Sequence, residues 1–198
     1  QFVQWLVAPA PGGLCLGGDD VTPGPAPSCI STVNPCVTIP VAINRVDTTP
    51  MRGFSVTFSL SSELMLCSGL SSISEGTYLN GVPLSSTQFQ LLDNGGGSYT
   101  VDCAILGLPC GATGDGTLFN VDVTNSGGDG TGTITVTSVT ARDCNNAPIP
   151  ASPGVPLSIT IDNTQPTAVS DLVAAQKKTG NDSDGTTKIN LTFTPPGD

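Results

Sequence analysis

RGFSVTFSLSSEL, residues 52–64, is the stretch whose reading decides the fold. Phe54, Val56, Phe58 and Leu60 share one parity, while Ser55, Thr57 and Ser59 share the other. Successive side chains of a strand point to opposite faces, so the stretch predicts a strand with an apolar face and a hydroxyl face. The same alternation recurs on both sides of it. CVTIPVAI (36–43) sets Val37, Ile39, Val41 and Ile43 on one face, with Pro40 inside the run, which predicts an edge position or a bulge. SYTVDCAIL (98–106) alternates Tyr99, Val101, Cys103 and Ile105, and TLFNVDV (117–123) alternates Phe119, Val121 and Val123. TGTITVTSVTARD (131–143) is a long Thr-rich strand whose parity shifts near Ser138–Val139, predicting a bulge. VPLSITID (155–162) closes the series with Val155, Leu157, Ile159 and Ile161 facing inward. ELMLCSGLSSI (63–73) and TQFQLLD (87–93) are weaker strands, and DNGGG (93–97) is a hairpin turn. About eight or nine short strands without a convincing helix predict an all-β, two-sheet sandwich with mostly antiparallel pairing.

Composition agrees. The chain has 198 residues, 24 Gly and 17 Pro, and only 11% charged residues against roughly 25% in an ordinary soluble domain. Gly and Pro serve tight turns and are costly in helices. The net charge is −10, and of the six basic residues (Arg45, Arg52, Arg142, Lys177, Lys178, Lys188) only Lys177 and Lys178 adjoin. A phosphate-binding surface needs clustered Lys and Arg, so no nucleic-acid partner is expected. No apolar run reaches the ~18–20 residues of a spanning helix, so no membrane span is expected. The chain starts at Gln1, which reads as a removed signal peptide or a start inside a longer chain.

Three segments follow. Residues 1–28 are an apolar strand (QFVQWLVA) and a Pro/Gly-rich connector. Residues 29–162 are the sandwich. Residues 163–198 are a linker and two strands, Asp171–Gln176 and one carrying Ile189, Leu191 and Phe193, which look like the opening of another domain.

The chain has no histidine, which removes Ser–His and Cys–His nucleophilic pairs and the commonest metal ligand. Lysines occur only in the tail, and the only glutamates are Glu63 and Glu75. No catalytic residue and no organic cofactor are expected. Calcium is the one ion to consider, because Asp115, Asp129, Asp182 and Asp184 sit in Gly-containing turns, but none matches the EF-hand loop and turn chemistry accounts for Asp-Gly without a metal. Asn181 and Asn190 fit the N-glycosylation sequon.

The seven cysteines, at 15, 29, 36, 67, 103, 110 and 144, are too widely spaced for a CxxC zinc knuckle and read as disulfides of an exported protein. Cys29–Cys36 and Cys103–Cys110 are expected to close short Pro-containing loops. Cys15 is then the odd cysteine, with an intermolecular bond, a partner outside this chain or a free thiol in a flexible connector as its alternatives.

In order, CVTIPVAINRV, RGFSVTFSLSSELMLCSGLSSI, GTLFNVDV and TGTITVTSVTARDCNNAPIP resemble strands of a cohesin-like module over about residues 30–162. The resemblance implies a nine-stranded jelly roll from an extracellular modular protein. It also implies that the third strand lies beside the penultimate one, which would pair Cys67 with Cys144. PTAVSDLVAAQ and TTKINLTFTPPGD resemble the first two strands of a fibronectin type III domain, with Phe193 where that family usually has Trp.

The function expected from all this is a non-catalytic structural or interaction module of an extracellular or cell-surface assembly. Its partner would be itself, forming a filament or layer by strand pairing that buries Phe2, Trp5, Leu191 and Phe193, or other domains of a longer chain. The alternative is a dockerin- or carbohydrate-binding module. Aromatics total only 5%, and Phe54, Phe58 and Phe119 share parity with core residues, which weighs against sugar stacking.

Overall fold

The computed structural model describes residues 19–25, 29–165, 167–176 and 189–195. Phe2, Trp5, Cys15, Asn181, Asp182 and Asp184 lie outside them. Fifteen strands and one helical turn run in the order β1 (Asp19–Pro23), β2 (Ile30–Ser31), β3 (Val37–Asn44), β4 (Met51–Leu60), β5 (Leu64–Leu70), β6 (Ile73–Glu75), α1 (Thr77–Asn80), β7 (Ser86–Gly95), β8 (Ser98–Leu106), β9 (Gly116–Asn125), β10 (Gly130–Asp143), β11 (Pro148–Ile149), β12 (Ala151–Pro153), β13 (Leu157–Asp162), β14 (Val173–Gln176) and β15 (Ile189–Thr192).

Two sheets face each other. The first has the order β12-β1-β3-β9-β5, with β6 also on β9. The second has the order β2-β13-β10-β4-β8-β7, with β11 also on β10. Pairing is antiparallel except for β1–β12 and β2–β13. The alternation read from sequence is the alternation of burial. Val37, Ile39, Val41 and Ile43 of the first sheet and Phe54, Val56, Phe58 and Leu60 of the second are all buried. Phe119 of β9 packs against Phe58 and Phe54 of β4 at ring-centroid distances of 5.7 and 6.4 Å, so the aromatic residues of the two sheets meet at mid-core. Such offset contacts add to plain area burial.

Pro40 sits in a central strand, next to a bulge where the β3–β9 register shifts between Val41 and Ala42. Its carbonyl accepts a hydrogen bond from the Gly24 amide at 2.9 Å, just where β1 has ended at Pro23. A residue's N–H and C=O point to the same side of a strand, so the missing donor falls opposite Gly24, just past the last paired residue of β1. The expected bulge of β10 is present, with a register shift between Val136 and Ser138.

Several expectations are corrected. Asp19–Pro23, inside the stretch read as a connector, is a strand of the sandwich with Val21 fully buried. Val155, expected inward, is 70% exposed, because β13 begins only at Leu157. The disulfides are Cys36–Cys67 and Cys110–Cys144, with Cα separations of 6.1 and 5.2 Å. Cys29–Cys36 does not form because Cys29 leads into β2 of the second sheet while Cys36 leads into β3 of the first. Cys103–Cys110 does not form because Cys103 points into the core from β8. Cys67–Cys144 fails because its premise fails: β5 pairs with β9 in the first sheet, whereas β10 lies in the second, between β13 and β4. The observed bonds follow the register. Val37 and Leu66 both stand opposite Val123, which brings Cys36 and Cys67 together, and Met51 pairs with both Ala112 and Asp143, which brings Cys110 to Cys144.

The tail strands β14 and β15 form a two-stranded antiparallel sheet of their own. The Asp171 carboxylate accepts the Thr194 amide at 2.9 Å and the Thr194 hydroxyl, clamping the pair. Leu172, Val173, Leu191 and Phe193 remain exposed, the last two at 61% and 52%.

Candidate functional site

The outer face of the second sheet is where the opening stretch presents its hydroxyls. Across it, Gln88 of β7, Ala104 of β8, Gly53 of β4 and Arg142 of β10 stand in one row, and Gln90, Asp102, Ser55 and Thr140 in the next. In the first row the middle positions, Ala104 and Gly53, are small and the outer ones, Gln88 and Arg142, are long. The face is therefore hollowed into an open groove of about 670 Å³, walled by Gln88 and Gln90 on one side and Arg142, Asp143 and Asn146 on the other. At Gly53 the floor is closely backed: an added Cβ would lie 3.1 Å from the Cys103 carbonyl oxygen and 3.2 Å from the Ala104 Cβ.

The rim is held by backbone contacts. Arg52 donates from Nε to the Ile105 carbonyl at 3.1 Å and from Nη2 to the Gly107 carbonyl at 2.7 Å. Arg142 donates to the Asn146 carbonyl at 3.2 Å. The Asp143 carboxylate accepts the amides of Asn145 and Ala147 at 2.8 and 2.7 Å, and so shapes the turn that Cys144 ties to Cys110. Leu106 lines the groove half exposed. Of the three arginines, Arg45 is buried, and both others line this groove. In a chain of net charge −10, the half-buried Arg52 and the exposed Arg142 are thus gathered at one place. The two guanidinium groups share the groove with the Asp102 and Asp143 carboxylates, a half-exposed leucine and the Gln88, Gln90 and Asn146 amides, a mixed set of donors, acceptors and apolar area that suits a protein surface.

Arg45 serves the fold instead. Its Nε donates to Asp19 at 2.8 Å, Nη1 to the Tyr78 hydroxyl at 3.0 Å and Nη2 to the Thr49 carbonyl at 2.8 Å. Asp19 also accepts the amides of Val46 and Asp47 at 2.8 and 2.9 Å. Burial pushes the Asp19 carboxyl up, but the Asp47 amide, the Arg45 guanidinium and the Val46 amide outweigh it and hold the carboxyl below the usual range. Burial likewise disfavours the charged Arg45, and Tyr78 and Asp19 more than restore it. No sequence pattern marks this pair, since Asp19 and Arg45 are 26 residues apart.

The other residues singled out in the sequence are not gathered at the groove. Asp115 accepts the Arg45 amide at 2.6 Å, and Asp129 accepts the Asn163 amide at 2.6 Å and the Thr164 hydroxyl, so both hold turns. Among the described residues no three His, Cys, Asp or Glu side chains are grouped to hold a metal. Asn190 is exposed on β15. Cys29 is an exposed thiol. Cys103 is a buried thiol that donates to Glu75 Oε1 at 3.4 Å, and burial, reinforced by the Glu75 charge, pushes its pKa up to about 12. Tyr78 is buried and Tyr99 packs against Phe58 at 5.5 Å, so neither is a platform for sugar. The groove itself was missed by sequence reading, although its hydroxyl floor was the feature first noticed.

No protein-family model matches the chain, and no curated protein matches it. Solved structures do. A non-cellulosomal cohesin from the archaeon Archaeoglobus fulgidus aligns with a TM-score of 0.51 at 16% identity, over 74% of this chain and 92% of that one. The seventh ScaB type I cohesin of Pseudobacteroides cellulosolvens aligns with a TM-score of 0.55 at 14% identity, over 76% and 96%. The Clostridium thermocellum Coh-OlpA–Doc918 cohesin–dockerin complex supplies a third match, with a TM-score of 0.53 at 12% identity, over 73% and 99%. At these identities the likeness is one of fold: residues 19–162 form a two-sheet jelly-roll sandwich of the kind found in cohesin modules.

Proposed function

We propose that the chain is a non-catalytic protein-interaction module of an extracellular or cell-surface assembly, and that it holds a protein partner in the groove on the outer face of its second sheet. The observation that carries this is the open groove itself, which gathers two arginines and two aspartates, Arg52, Arg142, Asp102 and Asp143, with amide and apolar side chains around the small Gly53, Ser55 and Ala104. A central pocket flanked by arginine and an apolar side chain is the usual anatomy of an interface hot spot. The two disulfides support an oxidising compartment. The Clostridium thermocellum neighbour is a cohesin bound to a dockerin, which makes dockerin modules the first partners to try.

Calorimetric titration of the full chain with a set of dockerin modules tests the reading. Binding is expected to be lost in Ala104→Trp, which fills the floor, and kept in Met65→Trp, on the other sheet. Binding that survives Ala104→Trp rejects the groove, and absence of binding across the set rejects dockerins as the partner class.

A second reading concerns the tail. The exposed Leu172, Val173, Leu191 and Phe193 on an isolated strand pair support the view that β14–β15 open a fibronectin type III-like domain completed in cis or by another chain. Completion by another chain would link modules end to end into a filament or layer.

A further inference from the structure

The groove's outer wall is also a sheet edge, and that edge is unprotected. β7 runs ten residues, Ser86–Gly95, and among the described residues pairs only with β8. Among the described residues no backbone or side-chain hydrogen bond reaches the far side of Ser86–Leu92. Edge strands of soluble proteins are normally blunted by shortness, proline, lysine or a bulge. The other edges here obey that rule. β2 has two residues, β12 has three with Pro153, and β5 is paired over only Leu64–Leu66 before the chain is tied by Cys67. β7 has no proline, no basic residue and no register shift before Asp93.

We propose that β7 is a self-association edge that pairs antiparallel with the β7 of a second copy across a two-fold axis at Gln90. Directly opposed residues of an antiparallel pair lie on the same face, so only registers that match the pleat are allowed. With Gln90 opposite its own copy, Phe89 meets Leu91 on the core side, where both already pack partly buried against the sandwich. On the outer side Gln88 meets Leu92, which is 57% exposed in the single chain. The strand's one charge, Asp93, falls opposite Thr87 and not opposite its copy, so no like charges face each other despite the chain's net charge of −10. Roughly six to eight main-chain hydrogen bonds form, which fits the strand-addition mode of recognition. The area of one strand edge is modest and association has its own entropic cost, so the dimer is a concentration-dependent one. The two seven-stranded sheets become one continuous sheet, and the two grooves are brought side by side along it.

The test uses the full chain with Cys15→Ser and Cys29→Ser, so that no cysteine beyond the two disulfides and the buried Cys103 is left to cross-link. Under mild oxidation Gln90→Cys is expected to give a covalent dimer on non-reducing electrophoresis beyond the background of the parent. Gln88→Cys and Leu92→Cys alone are expected to give none, and an equimolar mixture of the two to give the dimer, because they oppose one another. By sedimentation the parent is expected to show a monomer–dimer equilibrium that Gln90→Lys weakens at least about tenfold by setting like charges at the axis. A parent that stays monomeric to roughly millimolar concentration overturns the proposal. So does a dimer insensitive to Gln90→Lys, or Gln88→Cys cross-linking as readily as Gln90→Cys. Ala104→Trp is expected to leave the dimer intact, which separates failure of this edge from failure of the groove.

Discussion

Arg45 and Asp19 hold opposite charges at the end of the sandwich, each with almost no side-chain exposure. Removing one partner of such a pair strands the other in a poorly solvated site, at a cost of about 3–5 kcal/mol. Arg45→Met is therefore expected to lose about that much in urea unfolding, and Asp19→Asn in the same chain to recover part of it. The pair also sets an acid limit. The Asp19 carboxyl is depressed in the folded chain, so its contribution is fully present above the ordinary carboxylate value of 3.8 and is lost as pH falls through the lower folded value. Stability measured by thermal melting is expected to fall below about pH 4, and less steeply in Asp19→Asn. Cys103 has the opposite character. With a pKa of about 12 and 3% exposure, it is expected to resist alkylation at pH 8 until the chain is unfolded, while Cys29 reacts at once. Alkylation of Cys103 in the native chain would show that β8 opens locally.

Strands were legible because their signal is local. A period of two between apolar and polar residues needs no knowledge of neighbours, and it identified the inward faces of β3, β4, β8 and β9 correctly. β1 escaped because five residues between Pro/Gly-rich flanks carry little periodic signal, and its inward positions include the ion-paired Asp19. Cysteine pairing was misread for a related reason: for Cys29–Cys36 and Cys103–Cys110 proximity in sequence stood in for proximity across a sheet, and for Cys67–Cys144 a strand order implied by resemblance did. Cys36–Cys67 and Cys110–Cys144 span 31 and 34 residues, worth roughly 3.5–4 kcal/mol each on the chain-entropy estimate. Each Cys→Ala pair is expected to lower the urea midpoint accordingly. Loss of Cys110–Cys144 should also disturb the groove, because Cys144 lies in its wall, whereas loss of Cys36–Cys67 on the first sheet should not. Hydrogen exchange at Arg142 and Asn146 distinguishes the two.

At the scale of the whole molecule, the described residues of the sandwich offer a groove and an edge strand paired on one side, and β14–β15 form a separate strand pair with exposed apolar side chains. Composition, alternation and turn residues determined that this chain is all-β, that its inner faces carry Val, Ile, Leu and Phe, and that it has no histidine to form a Ser–His or Cys–His pair. Those properties depend on residue type and on neighbours within a few positions. Which strand sits beside which, and hence which cysteines bond, which aspartate neutralises Arg45 and which two arginines share a groove, depends on contacts between residues tens of positions apart. Such contacts are decided by the closure of two sheets over one core. Only the tertiary structure turned Ser55, on the hydroxyl face of RGFSVTFSLSSEL, from part of a pattern into part of the floor of a groove, because a floor exists only when side chains from other strands stand around it.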